Sequence, residues 1–348
     1  MTKKLRIGIL GVGPIAQIAH LPALKRAENV ELVALCDASE DLGRKVAKKY
    51  DVPAVYSDHH KFLAESGVDA VLIAVAHAFH APLATDAMRA GKHVLVEKPL
   101  AVTVQECEDI VRVAKETGRQ CQMACMKRWD PALQFAQKYV REEMGDRLMV
   151  SGWYCDSVFH MNYVYSRTEK FLTGSGQKRP GPPAKPMDSH INNLLGHGVH
   201  LLDTLRFFGG DIVAVTTTKT DKQRKLVTLS LLEFADGARG TFSLVVNTRM
   251  DWFEGLHIHG MNGSVVAQLF FPYMFRPADV RVMDGARGEY RTPATPDCDQ
   301  YERQIEGFAS AILEGRPVSP NVEDGLKAQK VLYAMYESAE KGTRVQVL

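Results

Sequence analysis

Glu97-Lys98-Pro99 is the first group of residues in this sequence whose types and spacing could do chemistry. It follows a short apolar run, residues 93–96, of the kind that forms a buried parallel strand. Open α/β sheets hold their ligands at the carboxyl ends of such strands, and Pro99 fixes the backbone direction directly after Lys98. The pattern predicts an ammonium group aimed into a ligand site, with a surface ion pair as the alternative.

A later segment carries His190, His197, His200 and Asp203, and residues 191–208 are expected to be helical. The last three recur every third residue, so they share one face if the segment is helical. Such a histidine can be a general base, a metal ligand or a core histidine paired with Asp203. Because no cysteine or second carboxylate accompanies the pair at ligand spacing, we predict no metal site.

The start of the chain reads as strand, glycine turn and helix. The apolar residues 5–10 lead into Gly11-Val12-Gly13-Pro14-Ile15-Ala16, which has the spacing Gly-x-Gly-x-x-Ala. In this pattern the first glycine allows a tight turn, the second lets a pyrophosphate approach the backbone, and the alanine lets helix and strand pack closely. The predicted cofactor contacts of the turn are Gly11, Gly13, Pro14, Ile15 and Ala16.

Asp37 ends a second predicted strand, residues 30–36, and lies 21 residues beyond Ala16. This is close to the offset of about 20 residues at which an acidic side chain binds the adenosine ribose. A carboxylate there would repel a 2′-phosphate, so we predict NAD as the cofactor and consider NADP less favoured. The alternative is that Asp37 caps the next helix.

Strands and helices alternate up to residue 126, which predicts a doubly wound parallel sheet. One of the predicted helices covers residues 104–117 and begins with a capping box formed by Thr103 and Glu106. We therefore expect a Rossmann dinucleotide-binding domain over residues 1–126. Longer runs joined by tight turns follow, and they predict a C-terminal α/β domain over residues 127–348 with a large, mostly antiparallel open sheet. The last two helices are expected to pack back on the first domain, and residues 161–187 to form a lid or an interaction arm.

Charge and composition favour a small-molecule partner. Lysine and arginine total 43 against 41 acidic residues, so the chain lacks the basic field of a protein that binds nucleic acid or membrane. The six cysteines are few and fit reduced core thiols. Because the sequence also shows no signal peptide and no apolar stretch of the roughly 18 residues that span a bilayer, we predict a cytoplasmic protein.

Several of these motifs together resemble one family. They are the glycine turn, the run from Ala90 to Leu100, the segment Gly198-Val199-His200-Leu201-Leu202-Asp203, and a tail containing Gly307, Gly315, Asp324 and Ala339. This set resembles the glucose-fructose oxidoreductase / inositol dehydrogenase (Gfo/Idh/MocA) family over nearly the whole chain. The resemblance implies hydride exchange between nicotinamide and a hydroxyl of a sugar, cyclitol or related polyol. It also implies homodimers or homotetramers paired through the open sheet.

The resemblance further implies roles for individual residues. Lys98 would contact the substrate hydroxyl and the nicotinamide ribose, and His200 would accept the proton. Further cofactor contacts would be His80, Glu97 and Arg128. His197 and Trp153 are candidate substrate contacts, although Trp153 also fits a plain sheet residue.

The chain departs from the family pattern near its histidines. Many members carry an aspartate four residues before the catalytic histidine, where this chain has Gly196. His197, His190 and Asp188 are the candidates to replace this aspartate. The departure keeps two alternatives open: an enzyme that retains its cofactor, exchanging hydride between sugars or cleaving a glycoside through transient oxidation, and a non-catalytic dinucleotide-binding sensor.

Overall fold

The computed structural model describes residues 3–159, 164, 171–174, 187–222 and 225–348. They form two compact units. The first contains Met1–Cys125, the described residues 171–174 and Tyr301–Gln329, and the second contains Met126–Arg167, Met187–Gln300 and Lys330–Leu348. Of the expected lid over residues 161–187, only Val164, residues 171–174 and Met187 are described.

The first unit is built on a parallel sheet of six strands in the order β3-β2-β1-β4-β5-β6. The strands are β1 (Leu5–Leu10), β2 (Val30–Cys36), β3 (Ala54–Tyr56), β4 (Ala70–Ile73), β5 (His93–Glu97) and β6 (Cys121–Ala124). The helices between them are α1 (Leu21–Arg26), α2 (Glu40–Tyr50), α3 (His59–Glu65), α4 (His80–Arg89) and α5 (Val104–Thr117). The order reverses at β1, so the carboxyl ends of β1, β2, β4 and β5 border the switch point at which such sheets bind ligands. The prediction of a doubly wound parallel sheet is confirmed.

Local sequence explains the elements that carry the first unit. All of β4 and most of β5 are buried, as their apolar runs require of strands covered on both faces. The predicted capping box starts α5, because Thr103 accepts from the Glu106 amide and Glu106 accepts from the Thr103 amide. Gly118 ends the helix in the left-handed conformation.

The second unit contains a mostly antiparallel sheet of nine strands in the order β14-β13-β12-β11-β7-β10-β9-β8-β15. Its strands are β7 (Arg147–Ser157), β8 (Ile212–Lys222), β9 (Lys225–Phe234), β10 (Arg239–Thr248), β11 (Phe253–Gly260), β12 (Gly263–Leu269), β13 (Asp279–Asp284), β14 (Glu289–Arg291) and β15 (Val345–Gln346). Its helices include α6 (Pro131–Glu142), α7 (Ser189–Asn193) and α8 (Val199–Gly209). Among the described strand pairings of this nine-stranded sheet, only β7–β10 is parallel. The prediction of a large, mostly antiparallel open sheet is therefore confirmed.

Residues 191–208, expected as one helical segment, are divided. Helix α7 begins at Ser189, a π-helical turn covers Leu194–Gly198, and α8 follows from Val199. The segment starts early because Asp188 accepts hydrogen bonds from the amides of His190 and Ile191. The π-helical turn changes the angular spacing of its residues, so a strict three-residue repeat is a poor guide to which side chains meet there.

The nine-stranded sheet has a covered face and an open face. On β7, Gly152 lies against the side chains of Leu201 and Leu205 from α8, so even-numbered residues of β7 face the helix. Odd-numbered residues of β7, among them Trp153, point to the other face together with exposed Leu229 and Leu231 of β9. This alternation decides which β7 side chains can join the histidine cluster.

Two further helices, α9 (Gln300–Leu313) and α10 (Val322–Lys341), close the chain. In the first unit, Arg26 Nε donates to Glu302 Oε2 at 2.6 Å and the Asn29 side-chain amide donates to the Glu306 carbonyl at 2.8 Å. Gly325 lies so close to Leu100 that an added Cβ would be 2.8 Å from Leu100 Cδ2. Residues 301–329 thus pack within the first unit.

No helix in the described ranges is long and apolar enough to cross a membrane.

Candidate active site

The glycine turn follows β1 and is joined to both neighbouring strands. The Gly11 amide donates to the Cys36 carbonyl at 2.8 Å, and Gly11 has a φ of 87°. An added Cβ there would be 2.6 Å from the Ala74 carbonyl oxygen, so only glycine fits. The helical stretch that starts at Ala16 has Ile15 at its N-cap, a side chain that cannot accept a hydrogen bond. The turn therefore presents backbone donors, as a pyrophosphate site requires.

Asp37 lies where the sequence places it, at the carboxyl end of β2. Its carboxylate is buried and accepts hydrogen bonds from the Val12 and Ser39 amides, both at 2.9 Å. The side chain therefore joins the glycine turn to the turn after β2, and it does not cap α2 through a helical amide. Each carboxylate oxygen keeps a further lone pair with which a ribose hydroxyl could be bound.

Glu97 is buried at the end of β5 and is held by two donors. His20 Nε2 donates to Glu97 Oε1 at 2.7 Å, and the Lys98 amide donates to Oε2 at 3.1 Å. Burial raises the pKa of Glu97, but the hydrogen bond from His20 and the charges of His20 and Lys98 outweigh this effect and hold the pKa below its ordinary value. The ionised carboxylate thus positions the backbone of Lys98. A direct cofactor contact by Glu97 stays a prediction.

Lys98 is half-buried directly after β5, and its peptide bond to Pro99 is cis. Burial lowers the pKa of its ammonium group, and the nearby Glu97 and Cys125 oppose the change only in part. The ammonium is therefore a stronger proton donor than an exposed lysine.

His80 contacts the backbone next to the same strand end. It is fully buried, and its Nδ1 and Nε2 lie 2.7 Å and 3.2 Å from the carbonyl oxygens of Pro99 and Val75. Burial lowers the pKa of His80 despite these contacts, so the neutral ring is favoured and Nδ1 donates to Pro99. Both ring nitrogens face backbone, which makes His80 a support of the loop after Lys98. Its predicted cofactor contact stays a prediction.

Residues 171–174, called the strap, belong to the same unit. Gln17 exchanges two hydrogen bonds with Leu172, donating to its carbonyl at 3.0 Å and accepting from its amide at 2.8 Å. Lys45 donates to the Thr173 carbonyl at 3.1 Å. The strap is thereby tied both to the helical stretch after the glycine turn and to α2, which follows Asp37.

In the second unit, Tyr154 is the centre of the histidine cluster. Its ring is stacked parallel to that of His200 at 6.1 Å, and it meets the ring of His197 edge-on at 6.3 Å. His197 Nδ1 lies 3.7 Å from a carboxylate oxygen of Asp156, which is buried two residues further along β7. The two histidines thus flank one aromatic ring beside a buried carboxylate.

A buried ion pair also lies next to Tyr154. Lys127 Nζ lies 4.9 Å from the centre of the Tyr154 ring and pairs with Glu254 of β11, which also accepts from Trp252 Nε1 at 3.2 Å. Burial first, and then the charges of Glu254 and Asp156, raise the pKa of Tyr154 well above its ordinary value. Tyr154 therefore stays neutral.

Sequence reasoning did not single out Tyr154, Asp156, Lys127 or Glu254. The available signal was the alternation of β7, which directs Tyr154 and Asp156 to the face opposite Trp153. Trp153 lies on the open face, where it packs on Phe253 and His257, so the structure does not bring it to the histidines.

Arg128 faces Asp203 in a bidentate ion pair. Its Nε and Nη2 donate to the two carboxylate oxygens at 2.9 Å and 2.7 Å, and its guanidinium lies 5.4 Å from the ring centre of Phe207. Asp203 therefore serves Arg128, although the sequence also allowed it to partner a histidine. A cofactor contact by Arg128 stays a prediction.

The other candidates for the missing acid lie elsewhere. Asp188 caps α7, and His190 is buried with Nε2 3.1 Å from Thr228 Oγ1 on β9, two strands from β7. At Gly196 itself, an added Cβ would meet no atom of the described residues within 4 Å. Of the three proposed substitutes, only His197 lies in the Tyr154 cluster.

His190 makes stability depend on pH. Burial lowers its pKa from 6.5 to about 4, so between these values the unfolded chain takes up a proton that the folded chain does not. We expect the free energy of unfolding to fall by up to about 3 kcal/mol as the pH drops through this window. In His190→Gln this decrease in the free energy of unfolding at acidic pH should disappear, whereas the exposed control His60→Gln should keep it. Urea titrations at several pH values measure the free energy of unfolding of each variant.

Known proteins match the chain along most of its length. Residues 5–125 match a model described as an oxidoreductase family with an NAD-binding Rossmann fold, and residues 193–347 match the C-terminal α/β domain of the same Gfo/Idh/MocA family. The inositol 2-dehydrogenase of Salmonella typhimurium is 34% identical over 354 residues, which cover 97% of this chain and 95% of the relative.

More distant relatives show the same fold or full-length similarity. The D-xylose 1-dehydrogenase (NADP(+)) 2 of Haloferax volcanii is 25% identical, with 99% of this chain and 100% of the relative covered. A levoglucosan dehydrogenase solved with NADH and L-sorbose is 22% identical and superposes with a TM-score of 0.82 over 100% of both chains. The chain belongs to the Gfo/Idh/MocA family of oxidoreductases.

Proposed function

We propose that this protein is an NAD-dependent dehydrogenase that oxidises a hydroxyl group of a sugar, cyclitol or related polyol. The observation that carries the proposal is Lys98: a half-buried ammonium at the carboxyl end of β5, in the same parallel sheet whose strands β1 and β2 end in the glycine turn and Asp37. Such a group can stabilise the oxygen of an alcohol as it loses its proton. The relatives named as inositol and xylose dehydrogenases support this substrate class.

The chain's own residues account for the proton chemistry. Lys98 donates a hydrogen bond to the substrate oxygen and stabilises the negative charge that develops there. Glu97, ionised and held by His20, keeps the Lys98 backbone in place. His200 accepts the hydroxyl proton on a ring nitrogen. Nicotinamide, when bound, supplies the acceptor for the hydride.

A panel of sugars and cyclitols with NAD at alkaline pH tests the proposal, with NADH absorbance as the readout. Oxidation of at least one member is expected. If no member is oxidised while NADH still binds, the proposed function is wrong and a non-catalytic dinucleotide-binding sensor is favoured. A reduced-nicotinamide absorbance band in the protein as purified would instead support an enzyme that retains its cofactor. Neither alternative is favoured by the relatives, which are named as dehydrogenases.

Asp37 should determine the choice between NAD and NADP. Asp37→Asn keeps the shape of the side chain but removes the charge that repels a 2′-phosphate. We expect the ratio of kcat/KM for NAD to that for NADP to fall about tenfold or more. Glu40→Gln, which removes a neighbouring exposed charge, should leave the ratio nearly unchanged; equal ratios in wild type and Asp37→Asn would contradict the assignment.

The open face of the nine-stranded sheet is proposed to bind a second copy of the chain. Leu229, Leu231, Phe253 and Val266 are 48%, 61%, 40% and 43% exposed on this face. A broad apolar sheet face of this kind marks an interaction surface. We expect sedimentation equilibrium to give a dimer or tetramer that Leu231→Glu weakens, while Met261→Glu, at an exposed turn, does not. A wild-type monomer would contradict the proposal.

A cytoplasmic location is proposed on the cysteines alone. All six lie among the described residues without a disulfide bond, and four of them are buried.

A further inference from the structure

The histidine cluster of the second unit contains a carboxylate that the sequence did not connect with it. Asp156 lies on the covered face of β7, is only 3% exposed, and approaches Nδ1 of His197 to 3.7 Å. An ionised carboxylate at this depth is costly unless nearby groups stabilise it. His197, in contact with the same Tyr154 ring as His200, is such a group.

We propose that Asp156 supplies the carboxylate that the family pattern places at position 196. It acts as a positioning residue through its charge, which attracts the Nδ1 side of the His197 ring and stabilises the positive charge that arises when an imidazole of the cluster accepts a proton. The inference rests on the proposed function. It explains how Gly196 can be present without loss of a carboxylate beside the histidines.

The arrangement has the physical features that such a role needs. A carboxylate 3.7 Å from a ring nitrogen lies at ion-pair distance rather than hydrogen-bonding distance, and its charge favours the charged form of the histidine. The effect of a charge within about 4–6 Å is typically 1–3 pKa units. Asp156 is buried and the His197 side chain is 33% exposed, so solvent screens the interaction only in part.

The charged and titratable groups around the cluster agree with this role. Tyr154 on β7 stays neutral because burial, Glu254 and Asp156 raise its pKa. Lys127 is paired with Glu254 across the Tyr154 ring, so that pair contributes little net charge. His200 on α8 is the remaining titratable side chain in ring contact with Tyr154 among the described residues. Asp156 is therefore the carboxylate whose charge acts on His197, the ring that shares Tyr154 with His200.

The first test needs no substrate. In NMR titrations of the histidine ring protons, with His197 identified by the signal lost in His197→Gln, Asp156→Asn should lower the pKa of His197 by about one unit or more. Asp279→Asn removes an exposed carboxylate from β13, three strands from β7, and should leave that pKa unchanged. An unchanged pKa in Asp156→Asn would overturn the proposal, whatever the panel of polyols shows.

The second test is a rescue in the active enzyme. Asp156→Asn should shift the acidic limb of the pH profile of kcat/KM to lower pH and reduce kcat about tenfold or more. Gly196→Asp in the same background should move the limb back, since the space beside Gly196 is open and its backbone suits any residue. A normal profile in Asp156→Asn, or a lowered profile that Gly196→Asp leaves unchanged, would overturn the equivalence of the two acids.

A second inference rests on the strap, residues 171–174, in the first unit. The strap is hydrogen-bonded to Gln17, whose Nε2 also donates to the Val12 carbonyl of the glycine turn at 2.9 Å. At its other end, Gly174 is in such close contact with Ser39 that a Cβ would overlap Ser39 Oγ. The strap therefore connects the two turns predicted to bind the pyrophosphate and the adenosine ribose.

We infer that the strap must detach from one of these turns before NAD can leave, so that it slows cofactor exchange. Like the first, this inference rests on the proposed function.

Stopped-flow fluorescence of NADH release tests the strap. Gly174→Val cannot keep the contact with Ser39, and we expect NADH to dissociate about tenfold faster. Thr173→Ala changes an exposed side chain but keeps the backbone carbonyl that Lys45 binds, so it should release NADH at the wild-type rate. Equal rates in wild type and Gly174→Val, with equal melting temperatures, would overturn the inference, whereas failure of wild type to bind NADH would overturn the cofactor assignment itself.

Discussion

Lys98→Met is expected to lower kcat by about 10²–10³-fold while it changes the dissociation constant of NADH by less than about threefold. Methionine keeps the length and much of the volume of lysine but removes the ammonium, so the developing negative charge on the substrate oxygen loses its donor. Removal of a group that acts only on the transition state lowers kcat and kcat/KM by the same factor. Steady-state kinetics with a substrate from the panel and NADH fluorescence titration measure the two quantities.

Two controls separate this effect from misfolding. Exposed Lys115→Met should leave both quantities unchanged, and Lys98→Arg should restore little activity, because the guanidinium is larger and cannot donate from the same point. Wild-type turnover in Lys98→Met would remove Lys98 from the mechanism.

The lowered pKa of Lys98 adds a pH signature to the same prediction. Burial favours the neutral amine, so the ammonium is lost at a pH below the 10.5 of an ordinary lysine. Activity that depends on the ammonium should therefore decline at alkaline pH earlier than an exposed lysine would require. The alkaline limb should be absent from the residual activity of Lys98→Met.

The first unit was predictable from sequence because its signals are local. An apolar run, a glycine turn and a capping box each involve residues close together in the chain, and β1, β2 and α5 have the predicted bounds. The positions of Asp37 and Lys98 at strand ends were predictable for the same reason, since each directly follows a strand. The sequence did not predict the hydrogen bonds from distant residues, which His20 makes to Glu97 and His80 makes to the Pro99 carbonyl.

The second unit was less predictable, because its site depends on which strands become neighbours. Asp156 and His197 are 41 residues apart in sequence, and Lys127 and Glu254 are 127 apart. No local pattern connects such pairs. The π-helical turn added a further obstacle, because a three-residue repeat grouped His197 and His200 with Asp203, whereas Asp203 binds Arg128.

The buried pair of Lys127 and Glu254 should carry the largest effect on stability. Their side chains are 6% and 1% exposed, and the pair lies against Tyr154 and Trp252. Lys127→Met leaves Glu254 charged without its partner's ammonium, and we expect a loss of about 3–5 kcal/mol in the free energy of unfolding. Chemical denaturation followed by circular dichroism measures it.

The double variant Lys127→Met/Glu254→Gln distinguishes a charge effect from a packing effect. Since it removes both charges, it should recover a large part of the loss, because the cost of the single change comes from the unpaired carboxylate rather than from the missing attraction. The exposed pair of Lys115 and Glu323, 69% and 53% exposed, is the matched control, and Lys115→Met should cost less than about 1 kcal/mol. If the double variant is as unstable as the sum of the single variants, the two side chains contribute independently through packing, and the ion pair does not hold the Tyr154 cluster together.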